Sequence, residues 1–307
     1  MLILETIVPV FLMIALGKLL TVKGLLTENG IACIKNLSVN VFLPVMAFDA
    51  LIHGTYSKDS VVLILLEFFA LFAAFFAGIL FKRLFDKSLQ DYIPYAMTTY
   101  EGGLFGWALI AILVGQENLY YIVSMDIFSG VFGFTVMATG FKMINGEKLS
   151  RKDIFLSIIK NPLIISVVLG FAGAAIGLGN IIDNSAFASF YEKTTGMFTK
   201  PLSSMILISI GAGLVFDKNV LSKGIKFVSL RYAVQAAICA IVLAAIYFSI
   251  GLSKVLLVTL LMYFCCPASF LISMYSQKKE AIEFTSAVLS LQIIVALIAF
   301  SVIAVFA

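Results

Sequence analysis

Long apolar runs alternate with short polar links along the entire chain. Crossing a bilayer takes about 20 predominantly apolar residues in a helix. By that measure the pattern predicts ten spans, near 2–20, 30–52, 61–81, 92–114, 119–141, 155–178, 185–215, 225–250, 253–276 and 281–306. The seventh run is too long for one crossing. It predicts an amphipathic surface turn followed by a helix that contains Pro201. The stretch Met1–Leu20 lacks a basic leader and a small-residue cleavage site, so it is taken as a first span and not a signal peptide. No polar block is long enough to make a separate soluble domain. The expectation is an all-α membrane protein with one membrane domain over 1–307.

Composition agrees with the pattern. Of 307 residues, 62% are hydrophobic and only 12% charged, with a mean hydropathy of +1.09. A soluble domain is roughly 45–50% apolar and about 25% charged. The four cysteines, Cys33, Cys239, Cys265 and Cys266, all fall in apolar runs and have no metal-ligand spacing. The single histidine, His53, lies at a helix end, so a histidine-based triad or metal cluster in the membrane is excluded. No nucleophile–base motif stands out, and the chain is expected not to be an enzyme. It is also expected to need no cofactor and to have no nucleic-acid role.

The placement of charge sets an orientation. Odd-numbered connections carry most of the Lys and Arg, among them Lys82, Arg83 and Lys87, then Lys148, Arg151 and Lys152, then Lys218, Lys223 and Lys226. Even-numbered connections carry only Lys58, Lys193 and Lys254. Positively charged loops stay in the cytoplasm. Both termini are therefore expected outside.

An internal repeat emerges on comparing the halves. Pro9, Gly17, Gly24 and Leu25 recur as Pro162, Gly170, Gly177 and Leu178, at a constant offset of 153. Pro44 has a counterpart in Pro201, and Gly106 and Gln116 align with Pro267 and Gln277. These matches divide the chain into repeat one, 1–145, and repeat two, 146–307. Five spans per repeat is an odd number, so the second repeat enters from the opposite side. That predicts an inverted five-plus-five repeat, a common transporter architecture.

Such transporters bind substrate where helices are broken near the midplane. The fourth span is interrupted by Gly102, Gly103 and Gly106, with Glu101 at the break, and the ninth by Pro267. Crossed breaks would offer backbone amides and half-helix N-termini to an anion. Alternatively, these residues only allow close packing or a kink. The candidate substrate-binding set is Thr99, Tyr100, Glu101, Gly102 and Gly103 on one break and Cys266, Pro267 and Ala268 on the other, with Asn40, Arg231 and Gln292 facing them. Intramembrane charges are costly unless paired or wet. Glu101 and Asp126 are candidates for ion coupling through H⁺ or Na⁺, while Glu67 and Arg231 are expected to form a structural pair. Asn36 and Asn40, one turn apart, are expected to share a packing hydrogen bond. Lys35 and Lys200 are expected to reach an interface.

The ordered set "NVFLPVMAF", "GGLFGWAL", "KNPLIISVVLG", "KPLSSMILISIGAGL" and "CCPASFLISMYS" resembles the auxin efflux carrier family in its short bacterial form, over essentially the whole chain. The resemblance implies ten helices in inverted repeats, with crossed broken helices 4 and 9. It implies a scaffold of helices 1, 2, 6 and 7, transport helices 3–5 and 8–10, an elevator-like motion and a homodimer. Family members export auxin in plants, and bacterial relatives are associated with malate, malonate and similar carboxylates. Two departures stand out: Glu101 occupies a position that is often Asn in the family, and "GWALI" lacks the family's Pro.

The expected function is therefore a secondary transporter for a small organic anion in the cytoplasmic membrane. Arg231 or backbone amides would meet the carboxylate, and Glu101 would couple H⁺ or Na⁺. The alternative is a cation/proton antiporter of similar crossed-helix architecture, suggested by Glu101 and Asp126.

Overall fold

A computed structural model describes residues 2–307 apart from 55, 57, 147–149, 151, 153–154, 157–158, 215–217, 270–271, 273–275 and 277. Gln277, Lys148 and Arg151 thus lie outside the described residues. Among those described, the chain is helical and contains no strand. The helices are α1 (Leu2–Val22), α2 (Glu28–Leu37), α3 (Leu43–Ile52), α4 (Lys58–Phe81), α5 (Ile93–Thr98), α6 (Trp107–Val114) and α7 (Leu119–Phe132). They continue as α8 (Ala138–Ile144), α9 (Pro162–Ala175), α10 (Leu178–Asp183), α11 (Ala188–Gly213), α12 (Lys218–Ser249), α13 (Lys254–Cys265) and α14 (Lys279–Phe306).

Local sequence accounts for where these helices start and bend. Thr27, Asn161 and Ser253 accept backbone N–H bonds at the starts of α2, α9 and α13. Between α2 and α3 the helix widens over Ser38–Phe42 without breaking. Pro44 follows directly; its ring has no N–H and would crowd the carbonyl four residues back, so a wider turn relieves it. A second widened turn, Gly133–Met137, links α7 to α8. The long seventh run forms one continuous helix, α11, with Pro201 inside it; the expected surface turn is not a separate part of that run, and the short α10 precedes it.

Among the described residues, four helical runs are long and apolar enough to cross a bilayer, Glu28–Ile52, Val61–Leu84, Gly224–Ser249 and Glu280–Phe306, and the bent pair Trp107–Val114 and Gln116–Asp126 would make a fifth if it is one span. The fourth and ninth runs are divided instead. Large apolar side chains such as Leu12, Phe69, Val168, Phe248 and Ile298 stand exposed on the outer surface, as a lipid-facing exterior requires.

Two groups of close helix contacts stand out, joined to each other by α3 on α7 and α1 on α14. In one, α1 lies along α11 and α9 along α3. Gly17 rests on the backbone of Ile208, Gly211 on the backbone of Ile14, and Gly170 on Leu51, each in space that a Cβ would fill. Such close approach needs small residues. In the other set, α12 packs on α14, α4 and α13, and α4 packs on α5 and α7. Gly24 and Gly177, matched in the sequence repeat, both adopt a left-handed backbone, with φ of 69° and 70°. Gly is the residue that takes this conformation without steric cost.

His53 closes the end of α3. Its ring nitrogens lie 3.3 Å from Asp49 Oδ1 and 3.4 Å from Asp183 Oδ1, tying this end to α10. The hydrogen bond to Asp49, reinforced by both carboxylates, pushes its pKa up from 6.5 to about 9. A raised folded-state pKa stabilises fully below pH 6.5, and that stability fades as pH rises through about 9. The thermal midpoint of the detergent-solubilised protein should fall across this window, and His53→Gln should remove that component. An identical pH profile for wild type and variant would show the clasp contributes nothing.

Candidate functional site

The fourth run leaves the helix at Thr99, whose backbone is extended (φ −78°, ψ 152°). It resumes through a wide turn at Gly102–Gly106 into α6. Gly102 and Gly103 favour such a break because glycine is a poor helix former. The ninth run leaves the helix at Cys266, which is extended (φ −60°, ψ 146°). Pro267 explains this, since the residue before a proline is pushed out of the helical region.

The two interruptions dock on each other. Glu101 N–H donates to Pro267 O at 2.8 Å. Ser269 N–H donates to Thr99 Oγ1 at 3.3 Å, and Gly106 sits directly against Cys266 Sγ. Backbone groups freed by one break are thus partly satisfied by the other, as an apolar interior demands.

Helix α12 satisfies the carbonyl end of α5. The Arg231 guanidinium donates to Ala96 O and, at 2.8 Å, to Thr99 O. One turn later, Gln235 Nε2 donates to Met97 O at 2.8 Å, and Gln235 Oε1 accepts from Tyr100 Oη at 2.6 Å. Arg231 also lies 5.5 Å from the centre of the Tyr100 ring. A cation at the C-terminal end of a helix meets the negative end of its dipole. This corrects the expected Glu67–Arg231 pair. The unwound end of α5 exposes carbonyls that compete for the guanidinium, and Glu67 takes a hydroxyl instead. At the other break, Tyr232 Oη donates to Cys265 O at 3.1 Å, and Ala268 N–H donates to Gln292 Oε1 at 2.8 Å.

Two acidic groups meet at Tyr263 on α13. Tyr263 Oη lies 3.1 Å from Glu67 Oε1 and 3.1 Å from Asp126 Oδ1. The Asp126 carboxylate rests on Gly102, in the space a Cβ would occupy. A carboxyl group therefore sits at the start of the wide turn that leads into α6. Ser129 Oγ contacts both the N–H and the C=O of Tyr100, at 3.3 and 3.4 Å. Glu101 is buried and within electrostatic reach of Asp126 and of Lys35 on α2. Lys35 was expected at an interface; it faces this acidic group as well.

Asn40 lies on the widened turn Ser38–Phe42, which packs against Gly102–Gly106. Its amide donates to Asn36 O and Oδ1, at 3.0 and 3.2 Å. The structure thus brings Thr99, Tyr100, Glu101, Gly102, Gly103, Cys266, Pro267, Ala268, Arg231, Gln292 and Asp126 into one junction, with Asn40 at its edge. Sequence reasoning missed Gln235, Ser129 and Tyr263. Gln235 had one readable signal, its position four residues after Arg231 on the same helix face. An apolar groove of about 570 Å³ lined by Phe11, Ile14, Lys18 and Leu297 lies away from this junction, between α1 and α14.

Apolar helices with a polar, helix-breaking centre define a multi-pass membrane protein. A family model described as membrane transport protein, that of the auxin efflux carriers, matches residues 2–304, and the chain belongs to this family. No curated protein matches the chain.

Proposed function

We propose that this chain is a secondary transporter of a small organic anion, such as a dicarboxylate or an auxin-like acid, with its substrate site at the docked breaks of the fourth and ninth spans. The observation that carries this reading is the backbone bond from Glu101 N–H to Pro267 O, which holds two unwound segments together inside an apolar bundle. Thr99, Gly103, Ala268 and Gln292 line that junction, and Lys35 offers a cation beside it. Glu101 and Asp126 couple substrate movement to H⁺ or Na⁺. Membership of a membrane transport family does not favour the cation/proton antiporter alternative.

Thr99, Tyr100, Glu101, Gly102, Cys266, Pro267 and Ala268 are buried in this conformation. Substrate access therefore requires one body to move relative to another. The two packing sets suggest the bodies: α1–α3 with α9–α11 as a scaffold, and α4–α8 with α12–α14 as the moving part. Matched left-handed Gly24 and Gly177 support an inverted repeat of ten spans. A homodimer through the scaffold and a cytoplasmic-membrane location, with both termini outside, complete the proposal.

Purified protein in liposomes should accumulate or exchange a radiolabelled C3–C4 dicarboxylate or an indole acid above protein-free controls. Engineered cysteines near both termini should react with an impermeant thiol reagent in intact cells. Absence of flux for every carboxylate offered, by protein that is monodisperse and thermally cooperative, would overturn the reading.

A further inference from the structure

We propose that Glu67, Asp126 and Tyr263 form a one-proton site, in which two buried carboxyl groups share a single acidic hydrogen across the tyrosine hydroxyl. The inference rests on the transporter reading above and names H⁺ as its coupling ion.

The argument is a count of hydrogens. Tyr263 Oη is 3.1 Å from a carboxyl oxygen on each side. A phenol has one O–H, and sharing it between two acceptors, as Tyr232 does between Cys265 O and Gln292 O, weakens both bonds. A proton on one carboxyl, donated to the phenol oxygen, makes both contacts full hydrogen bonds. With both groups ionised, two carboxylates would have to share that one O–H in the protein interior. The other oxygen of Glu67, Oε2, is fully buried and has no hydrogen-bond partner. A neutral acid tolerates an unpartnered carbonyl oxygen far better than a carboxylate does. Asp126 has more donors around it than Glu67: besides Tyr263, the Ser129 hydroxyl and the buried indole N–H of Trp107 face it. The favoured microstate is therefore neutral Glu67 beside anionic Asp126, with the titration belonging to the pair.

Other titratable and charged groups bear on this pair. Tyr100 faces Glu67, Glu101 and Cys266 face Asp126, and Arg231 and Lys35 lie beyond Tyr100 and Glu101. Release of the proton leaves two carboxylates around one hydroxyl. That state becomes tolerable when motion at the docked breaks admits water or a substituent cation. The site spans α4, α7 and α13, so any shift of one against the others changes its affinity for the proton.

Infrared difference spectroscopy on the full-length protein in lipid nanodiscs, between neutral and alkaline pH in H₂O and D₂O, reads this site without any substrate. The expected result is a C=O stretching band of a buried protonated carboxyl at neutral pH, shifted by deuterium. Glu67→Gln should abolish it, and Asp126→Asn should shift its frequency. Tyr263→Phe keeps the ring packing and should leave the band at a changed frequency, which tests the bridge if either acid variant fails to fold. No such band in the wild type, or a band that survives Glu67→Gln or is unmoved by Asp126→Asn, overturns the proposal. So does a missing band accompanied by thermal stabilisation in NaCl over choline chloride, which would make the site a Na⁺ site. A clear band in protein without carboxylate flux would leave the proton site standing and remove the transporter reading.

Discussion

Glu101→Gln should transport its substrate with a much flatter dependence on pH or Na⁺. Glu101 combines three features: it donates its backbone N–H across the two breaks, it is buried, and its carboxylate faces both Asp126 and Lys35. Gln keeps the size and can keep hydrogen bonding, so the docked backbone should survive. What disappears is a negative charge beside Asp126. That charge raises the cost of a second anion in the acidic cluster, so its loss should flatten the response of flux to proton or sodium gradients. Exchange of labelled for unlabelled substrate should persist, because exchange does not return the empty, charged site. Reconstituted flux and exchange, measured with and without imposed gradients, check this. A variant that loses stability but keeps its coupling would make Glu101 a structural cap. A variant that folds but no longer binds would point to a cationic substrate. A well-folded variant unchanged in both respects would remove Glu101 from the mechanism.

Arg231→Met should cost about 2–4 kcal/mol of stability, the sum expected for two buried carbonyls left without donors at about 1–3 kcal/mol each, less some relief from desolvating a charge. Methionine fills similar volume, so cavity formation is a minor contribution. The carbonyls of Ala96 and Thr99 lose their partner, and Gln235 remains to hold only Met97. Arg231→Lys should recover part of the loss. A single ammonium does not span both carbonyls as the planar fork of a guanidinium does. Thermal unfolding followed by size-exclusion chromatography in detergent measures the series. The same assay separates two roles for this residue. If Arg231 mainly meets the substrate carboxylate, Arg231→Met should melt at the wild-type temperature and fail only in carboxylate binding.

Much of the architecture is legible in the linear sequence, because the physics behind it is local. Apolar runs long enough to cross a bilayer mark helices wherever they fall, and the lipid leaves the backbone no alternative. Pro267 fixes the extended backbone of Cys266, and the Gly102–Gly103 pair marks the break after Thr99, each by its own steric properties. The offset of 153 likewise places Gly24 and Gly177 at equivalent left-handed turns. What the chain order could not supply is the choice of partner for each polar group. Arg231 has Glu67 as an obvious opposite charge in the sequence, yet the carbonyls of Ala96 and Thr99 take it, because unwinding α5 creates acceptors that no residue type announces. Tyr263 reads as one more aromatic among apolar neighbours until α4 and α7 bring a carboxyl to each side of its hydroxyl. Asp126 and Gly102 are 24 positions apart, and only the packing of α7 against the Gly102–Gly106 turn puts the carboxylate where a side chain would otherwise stand. In this protein the sequence determined where the helices run and where they break, since those depend on neighbours along the chain; the tertiary structure alone decided which buried charges meet, since that depends on which freed backbone groups and hydroxyls arrive within hydrogen-bonding reach.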